Sequence, residues 1–183
     1  EAEQAVRFNK RSHVVLSDEN QGPDRIACPM ILATSGVHSH LTKKGLRSFC
    51  SLSIRSAECL DPHYAAVLIG SGATTVNPYL ALDTVSKMAR ERRLSRPLEE
   101  DVARSHYIKA LKKGLLKTMS KMGISAVSSY HGAQIFEAIG VDQVVVDRFL
   151  GGTPSRIRGV GLQQIGEESI ERHRRAYATD VVK

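Results

Sequence analysis

Residues 50–89, CSLSIRSAECLDPHYAAVLIGSGATTVNPYLALDTVSKMA, decide the fold class. Cys50, Leu52 and Ile54 alternate with Ser51, Ser53 and Arg55, the two-residue period of a strand with one buried face. Asp61-Pro62 then opens a short apolar helix over residues 63–69, because Pro in the first turn loses no needed hydrogen bond. That helix runs into Gly70-Ser71-Gly72, and Thr74-Thr75-Val76 reads as a brief strand. Asn77-Pro78 caps a further helix whose inner face is Leu82, Val85 and Ala89.

Upstream the same alternation holds. Val14-Val15-Leu16 is a short β-branched run that ends in Ser17-Asp18 and a polar loop over residues 19–24. A helix follows Cys28-Pro29, with Met30, Ala33, Val37 and Leu41 at helical spacing, and Gly45 stops it. Three strand–helix units with short joints predict an α/β fold with parallel pairing, in a layer or a barrel.

Downstream the composition shifts. The stretch from Arg90 to Pro97 is basic and polar, which predicts a domain boundary or linker there. Pro97, Glu99, Glu100 and Asp101 open a longer helix, with acids where the helix dipole favours them. Its expected buried stripe is Ile108, Leu111, Leu115 and Met119, with Lys109, Lys113 and Lys117 on another face. Residues 124–129 predict a strand, residues 132–139 and 142–150 helices parted by Gly140, and residues 162–177 a last helix.

The net charge of +7 arises from 26 Lys and Arg against 19 Asp and Glu, spread through the chain and not gathered in one tail. Most of the basic groups read as solvated helix faces, so charge alone does not indicate nucleic acid. No apolar run is long enough to span a membrane. Cys28, Cys50 and Cys59 have no metal-like spacing, and an odd count with no signal peptide points to a cytoplasmic or plastid-stromal setting. The chain opens on Glu1 with no Met, which predicts either processing or fragmentation of a longer product, with fragmentation preferred.

Candidate chemistry is sparse. His38-Ser39-His40 invites a metal reading, but positions two apart on a helix face different sides, which favours packing or capping. Gly70-Ser71-Gly72-Ala73 resembles part of a phosphate-cradling loop, yet it follows a helix and lacks a third glycine, so a helix C-terminus is expected. Lys121 sits where it could hold an anion or simply meet the negative end of its helix dipole, the reading preferred here. Gly151-Gly152-Thr153-Pro154-Ser155-Arg156 serves equally as an anion loop or a plain turn. No catalytic set can be assembled, and Glu99-Glu100 and Glu167-Glu168 fall at helix starts.

Four ordered stretches carry a resemblance. They are Gly36-Val37-His38-Ser39-His40-Leu41 with Gly45-Leu46-Arg47, and His63 with Leu68-Ile69-Gly70-Ser71-Gly72-Ala73 and Asn77-Pro78-Tyr79-Leu80-Ala81. The third is Lys113-Gly114-Leu115-Leu116-Lys117 with Met119-Ser120-Lys121-Met122-Gly123-Ile124-Ser125. The fourth is Ser129-Tyr130, Gly132-Ala133-Gln134-Ile135-Phe136-Glu137-Ala138, Ser155-Arg156-Ile157 and Gly159-Val160-Gly161-Leu162. Together they resemble glutamate synthase large subunits, from about Val14 to Tyr177.

The resemblance implies an enzyme that makes two glutamates from glutamine and 2-oxoglutarate with FMN and an iron–sulfur cluster. Its electrons come from reduced ferredoxin or from a small NAD(P)H-dependent subunit. It also implies that residues 1–93 end a central α/β domain and residues 94–183 begin the FMN-binding domain, as a mostly helical lead-in to a (β/α)8 flavin barrel. Ammonia in such enzymes passes from an amidotransferase domain to the flavin. No catalytic, cofactor-binding or metal residue transfers to this segment, and the remainder of the chain is its expected partner. Ser39 stands for a His of the usual pattern, Tyr64 for the second of two adjacent His, and Ser71 for an aromatic between glycines.

The expectation is therefore a structural segment that is inactive alone and poorly soluble by itself. The rivals are a stand-alone basic binding protein and a gene remnant. The binder requires Arg90 to Arg96, Lys109 to Lys121 and Arg172 to Arg175 to converge on one surface.

Overall fold

A row of Leu16, Ile54 and Val76, with Val14 beside Leu52, runs across one face of a small parallel sheet. The computed structural model describes residues 1–178. In it β1 (His13–Ser17), β2 (Ser51–Arg55) and β3 (Thr75–Asn77) lie in the order β1-β2-β3. Side chains alternate across a strand, so one sheet face collects the apolar residues. Leu52 and Ile54 are almost wholly buried, each contributing about 2 kcal/mol of transfer free energy. The other face is polar and open: Val15 is 56 % exposed, and Thr75 Oγ1 donates to Ser53 Oγ at 2.9 Å.

Helices cover the apolar face. α1 (Ala2–Arg7), which the sequence reading did not anticipate, inserts Val6 into the core. α2 (Met30–Lys43) brings Met30 and Leu41, and α3 (Pro62–Gly70) brings Ala65 and Leu68. The expected boundaries follow from their chemistry. Gly45 takes φ +67 just past α2, and Asp61 Oδ1 accepts from Tyr64 N at 2.7 Å to cap α3.

α4 (Tyr79–Arg90) differs in detail from expectation. Its N-cap is Pro78, with no side-chain cap, because Asn77 is committed to β3 and its carbonyl accepts from Ser56 N. Ala81, Leu82, Ser86 and Ala89 are buried, whereas Val85 is only half-buried. α5 (Glu100–Lys121) packs on both α3 and α4. Of its expected stripe only Met119 is buried, and Ile108 is 36 % exposed. The contact line runs instead through Ala103, Tyr107, whose hydroxyl donates to Leu60 O at 2.7 Å, and Gly114. A Cβ on Gly114 would overlap Pro62, so the helices cross at their smallest residue and the larger ones tilt outward.

Residues 124–138 depart most from the reading. The expected strand over 124–129 and helix over 132–139 do not form. The segment is loop around one short turn, α6 (Val127–Tyr130), and ends in β4 (Ile139–Val141). The backbone donors that a helix would use are committed elsewhere: Gly132 N bonds Ile69 O and Gln134 N bonds Gly70 O, each at 3.0 Å. Beyond it, α7 (Gln143–Phe149) is capped by Asp142, whose Oδ1 accepts from Val144 N at 2.8 Å. β5 (Ile157–Val160) pairs in parallel with β4, and α8 (Leu162–Tyr177) follows as expected. All four residues of β5 are exposed. The chain is thus mixed α/β with parallel strands throughout its two sheets.

Candidate functional site

Three of the distinctive stretches meet in space. His38 projects from α2, Gly70-Ser71-Gly72 closes α3, and the end of α6 with the loop after it brings Tyr130, His131 and Gly132 onto them. Tyr130 is buried at 1 % exposure. Gly72 has φ +114, and a Cβ there would overlap the imidazole of His38, so only glycine fits. The Gly-Ser-Gly segment is therefore the helix C-terminus expected from its position.

Arg47, at the start of a 3-10 turn over Arg47–Phe49, ties these pieces together. Its Nε donates to His38 Nδ1 at 3.1 Å, Nη1 to Cys50 O, and Nη2 to Gly72 O at 2.8 Å and Thr74 Oγ1 at 3.2 Å. Each of these acceptors is uncharged. His131 Nε2 lies 2.9 Å from Gly72 O, and since a carbonyl only accepts, that nitrogen carries the proton. The 3.2 Å approach of Arg47 Nη2 to the same nitrogen is then a contact and not a second bond.

The electrostatics follow from this packing. Burial, then the Arg47 guanidinium and His131, push the His38 imidazole down to about 4. Because Arg47 donates to Nδ1, neutral His38 holds its proton on Nε2. Burial likewise lowers His131, opposed by its bond to the Gly72 carbonyl and aided by Arg47. The two rings stand edge to face with centroids 6.3 Å apart.

The remaining candidates fall apart from this cluster. His40 turns away to Glu3 on α1, with Nε2 2.7 Å from Oε2, and this bond chiefly lowers the Glu3 carboxyl. The two histidines thus face different sides, as helical spacing requires. Lys121 is the last residue of α5, exposed, where it meets the helix dipole, and no strand follows it. Residues 151–156 form a turn, with Thr153 N bonded to Leu150 O and Arg156 3.8 Å from Glu137. Cys50 and Cys59 are buried and Cys28 is exposed. Among the described residues, no three of His, Cys, Asp and Glu gather as metal ligands.

Sequence reasoning missed Arg47, His131 and Glu58. The Glu58 carboxylate accepts from Met30 N at 2.9 Å and from the Tyr64 hydroxyl, and lies 3.5 Å from Arg172 on α8. It supplies the cap that α2 lacks locally. Burial and Glu58 raise the Tyr64 phenol. Nothing in the local sequence marks such a role, because the partner residues lie far along the chain.

The glutamate synthase central domain model matches residues 1–142. The chain belongs to the glutamate synthase family. It is 50 % identical over its whole length to the glutamate synthase [NADPH] large chain of Azospirillum brasilense, covering 12 % of that relative. It is 46 % identical over 94 % of its length to the corresponding large chain of Bacillus subtilis, covering 11 % of it. The chloroplastic ferredoxin-dependent glutamate synthase of Oryza sativa is 41 % identical across the full chain, which covers 12 % of it. The chain therefore spans only a small part of the length of the family members it matches. Where it departs from the family pattern, Tyr64 bonds Glu58, and Ser71 is buried with its hydroxyl unpartnered.

Proposed function

We propose that the chain is a structural segment of a glutamate synthase large chain, inactive by itself, that supports the junction between domains. The parent enzyme makes two glutamates from glutamine, 2-oxoglutarate and a reductant, in ammonia assimilation. What carries this reading is the identity of 50 % across the whole chain with a large chain of whose length it covers 12 %.

The open polar face of the parallel sheet supports it, since parallel sheets are ordinarily covered on both faces. So do the exposed Ile139, Val144 and Ile157 of the second half. That FMN and the iron–sulfur cluster are held outside these residues is supported by the glycine turn at Gly72, which His38 and Arg47 fill, and by Cys50 and Cys59, which are buried. Both groups belong to the remainder of the chain, with electrons from ferredoxin or a small NAD(P)H-dependent subunit. The segment ends the central domain and begins the lead-in to the flavin barrel. The division between the two parts is placed after Arg93, within the residues that the central-domain model matches.

The binding-protein reading is weaker because its arginines face acids of this chain. Arg90 lies 3.5 Å from Glu100, Arg172 pairs with Glu58, and Arg174 and Arg175 both pair with Glu171. Among the described residues, no helix is long and apolar enough to cross a membrane.

Antibody detection of the native polypeptide tests the proposal. A band far above 20.1 kDa supports the segment reading; a band at 20.1 kDa overturns it. Flavin-dependent glutamate formation by the purified chain alone would also sink the claim of inactivity.

A further inference from the structure

Beside the Arg47 cluster lies a cleft of about 290 Å³ between α2, the loop after α6 and α7, lined in part by His38, Lys43, Gly132, Gln134, Asp147 and Arg148. Two features set it apart from an ordinary surface hollow. Gln134 is buried at 9 % exposure and holds a left-handed backbone with φ 51, a conformation that costs energy for a residue other than glycine. Its backbone N–H is used on Gly70 O, and its side-chain amide, which lines the cleft, forms no hydrogen bond with another described residue. Its amide is not among the fully buried unpartnered polar atoms of the chain, so it is reached by solvent and is free to turn to a ligand in the cleft.

The second feature is His38. With Nδ1 bound by Arg47, its only N–H is at Nε2, on the side where the loop glycine closes: a Cβ on Gly132 would lie 3.3 Å from that nitrogen. Gly132 itself has φ +70, so the loop comes this near because no side chain intervenes. The cleft thus holds two neutral donors, an imidazole N–H and an amide.

Lys43 and Arg148 stand at its exposed rim, and neither forms an ion pair among the described residues. Asp147, on the same rim, already accepts from Gln143 at 2.8 Å. The rim charge is therefore two positive and one negative, a net of one positive. That matches a single negative charge better than a phosphate dianion.

The geometry points to this cleft as a carboxylate-binding site, with Gln134 and His38 Nε2–H donating to the carboxylate and Lys43 and Arg148 supplying its counter-charge. The carboxylate comes either from a free small acid or from an Asp or Glu side chain elsewhere in the full polypeptide. The cleft is built from this chain's own residues, so its test stands apart from the enzyme assignment.

The test uses the full-length polypeptide that naturally carries these residues, with succinate as the probe. Its structure is determined with and without succinate, and succinate binding is measured by equilibrium dialysis. Four variants accompany the wild type: Lys43→Ala, Arg148→Ala, His38→Asn and Lys117→Ala. His38→Asn keeps an acceptor for Arg47 but removes the Nε2–H donor, so the fold is retained while the site is impaired. Lys117 lies on the exposed face of α5 and controls for general charge.

A free-acid site shows succinate in the cleft, with Lys43→Ala, Arg148→Ala and His38→Asn each weakening that component about tenfold and Lys117→Ala leaving it unchanged. An internal site shows an Asp or Glu carboxylate of the same polypeptide on Gln134 and His38, with no succinate there. A cleft that holds only solvent or apolar side chains, with binding unaffected by the three site variants, overturns the proposal. A native polypeptide of 20.1 kDa would refute the enzyme reading while leaving this test intact.

Discussion

Acid should weaken this fold before its carboxylates are neutralised, and His38 is the reason. The ring faces Arg47 and His131, with Lys43 and Arg148 at the nearby cleft and Asp147 the acid there. Its ordinary value of 6.5 applies to the unfolded chain, whereas the folded chain holds it at about 4. Above pH 6.5 the ring is neutral in both states and pH has no effect through it. As pH falls below 6.5 the unfolded chain takes up a proton that the folded chain refuses, so stability falls until pH nears 4. At pH 5 the loss through this one group is about 2 kcal/mol, from 1.36 kcal/mol per unit over the interval. Below pH 4 the folded ring also protonates; the Arg47 bond breaks and two positive charges face each other.

Urea unfolding of the chain at low concentration, followed by circular dichroism from pH 7.5 to 4.5, measures this. Carboxylates titrate in the same range, so the comparison is with His38→Asn. Its amide oxygen still accepts from Arg47, but it does not titrate. The wild type should lose about 2 kcal/mol more than the variant between pH 7.5 and 5. Parallel curves for the two proteins would refute the reasoning, because they would mean that the ring is solvated or protonated in the fold.

Two glycine substitutions test the packing. Gly72→Ala places a methyl group in the His38 ring at φ +114 and should cost roughly 2–4 kcal/mol, read as a lower urea midpoint with an unchanged slope. Gly114→Ala would stabilise an exposed helix by about 1 kcal/mol, but here it should destabilise the chain, because Pro62 of α3 occupies the space; a raised midpoint would show that α5 does not lie where described.

How much was legible depended on where each element found its hydrogen bonds. α2, β2 and α3 were readable because their signals are local: Pro29, Gly45, the period-two run from Cys50 to Ile54, and the Asp61 cap. The inner stripe of α5 was misplaced because helical periodicity names an apolar face without saying which neighbour it meets. The crossing selected Gly114 and Ala103 over Ile108. Residues 132–139, read as a helix, form a loop that ends in β4. Its donors close the end of α3, a partner more than 60 positions away for Gly132 and Gln134.

The candidate site divides along the same line. His38-Ser39-His40 could be seen as two histidines that face apart, and Gly70-Ser71-Gly72 as a helix end, from spacing alone. Arg47 was marked only as the end of a family stretch and His131 not at all, since neither an arginine in a basic chain nor a histidine before a glycine names its partner in one dimension. The α/β class, its parallel pairing and the family were determined by the order of residues, because periodicity, caps and ordered motifs act within a few positions. The junction of Arg47, His38, His131 and Gly72, the cap that Glu58 gives α2, and the cleft at Gln134 were decided only by tertiary structure, because hydrogen bonds and burial join residues that chain distance keeps apart.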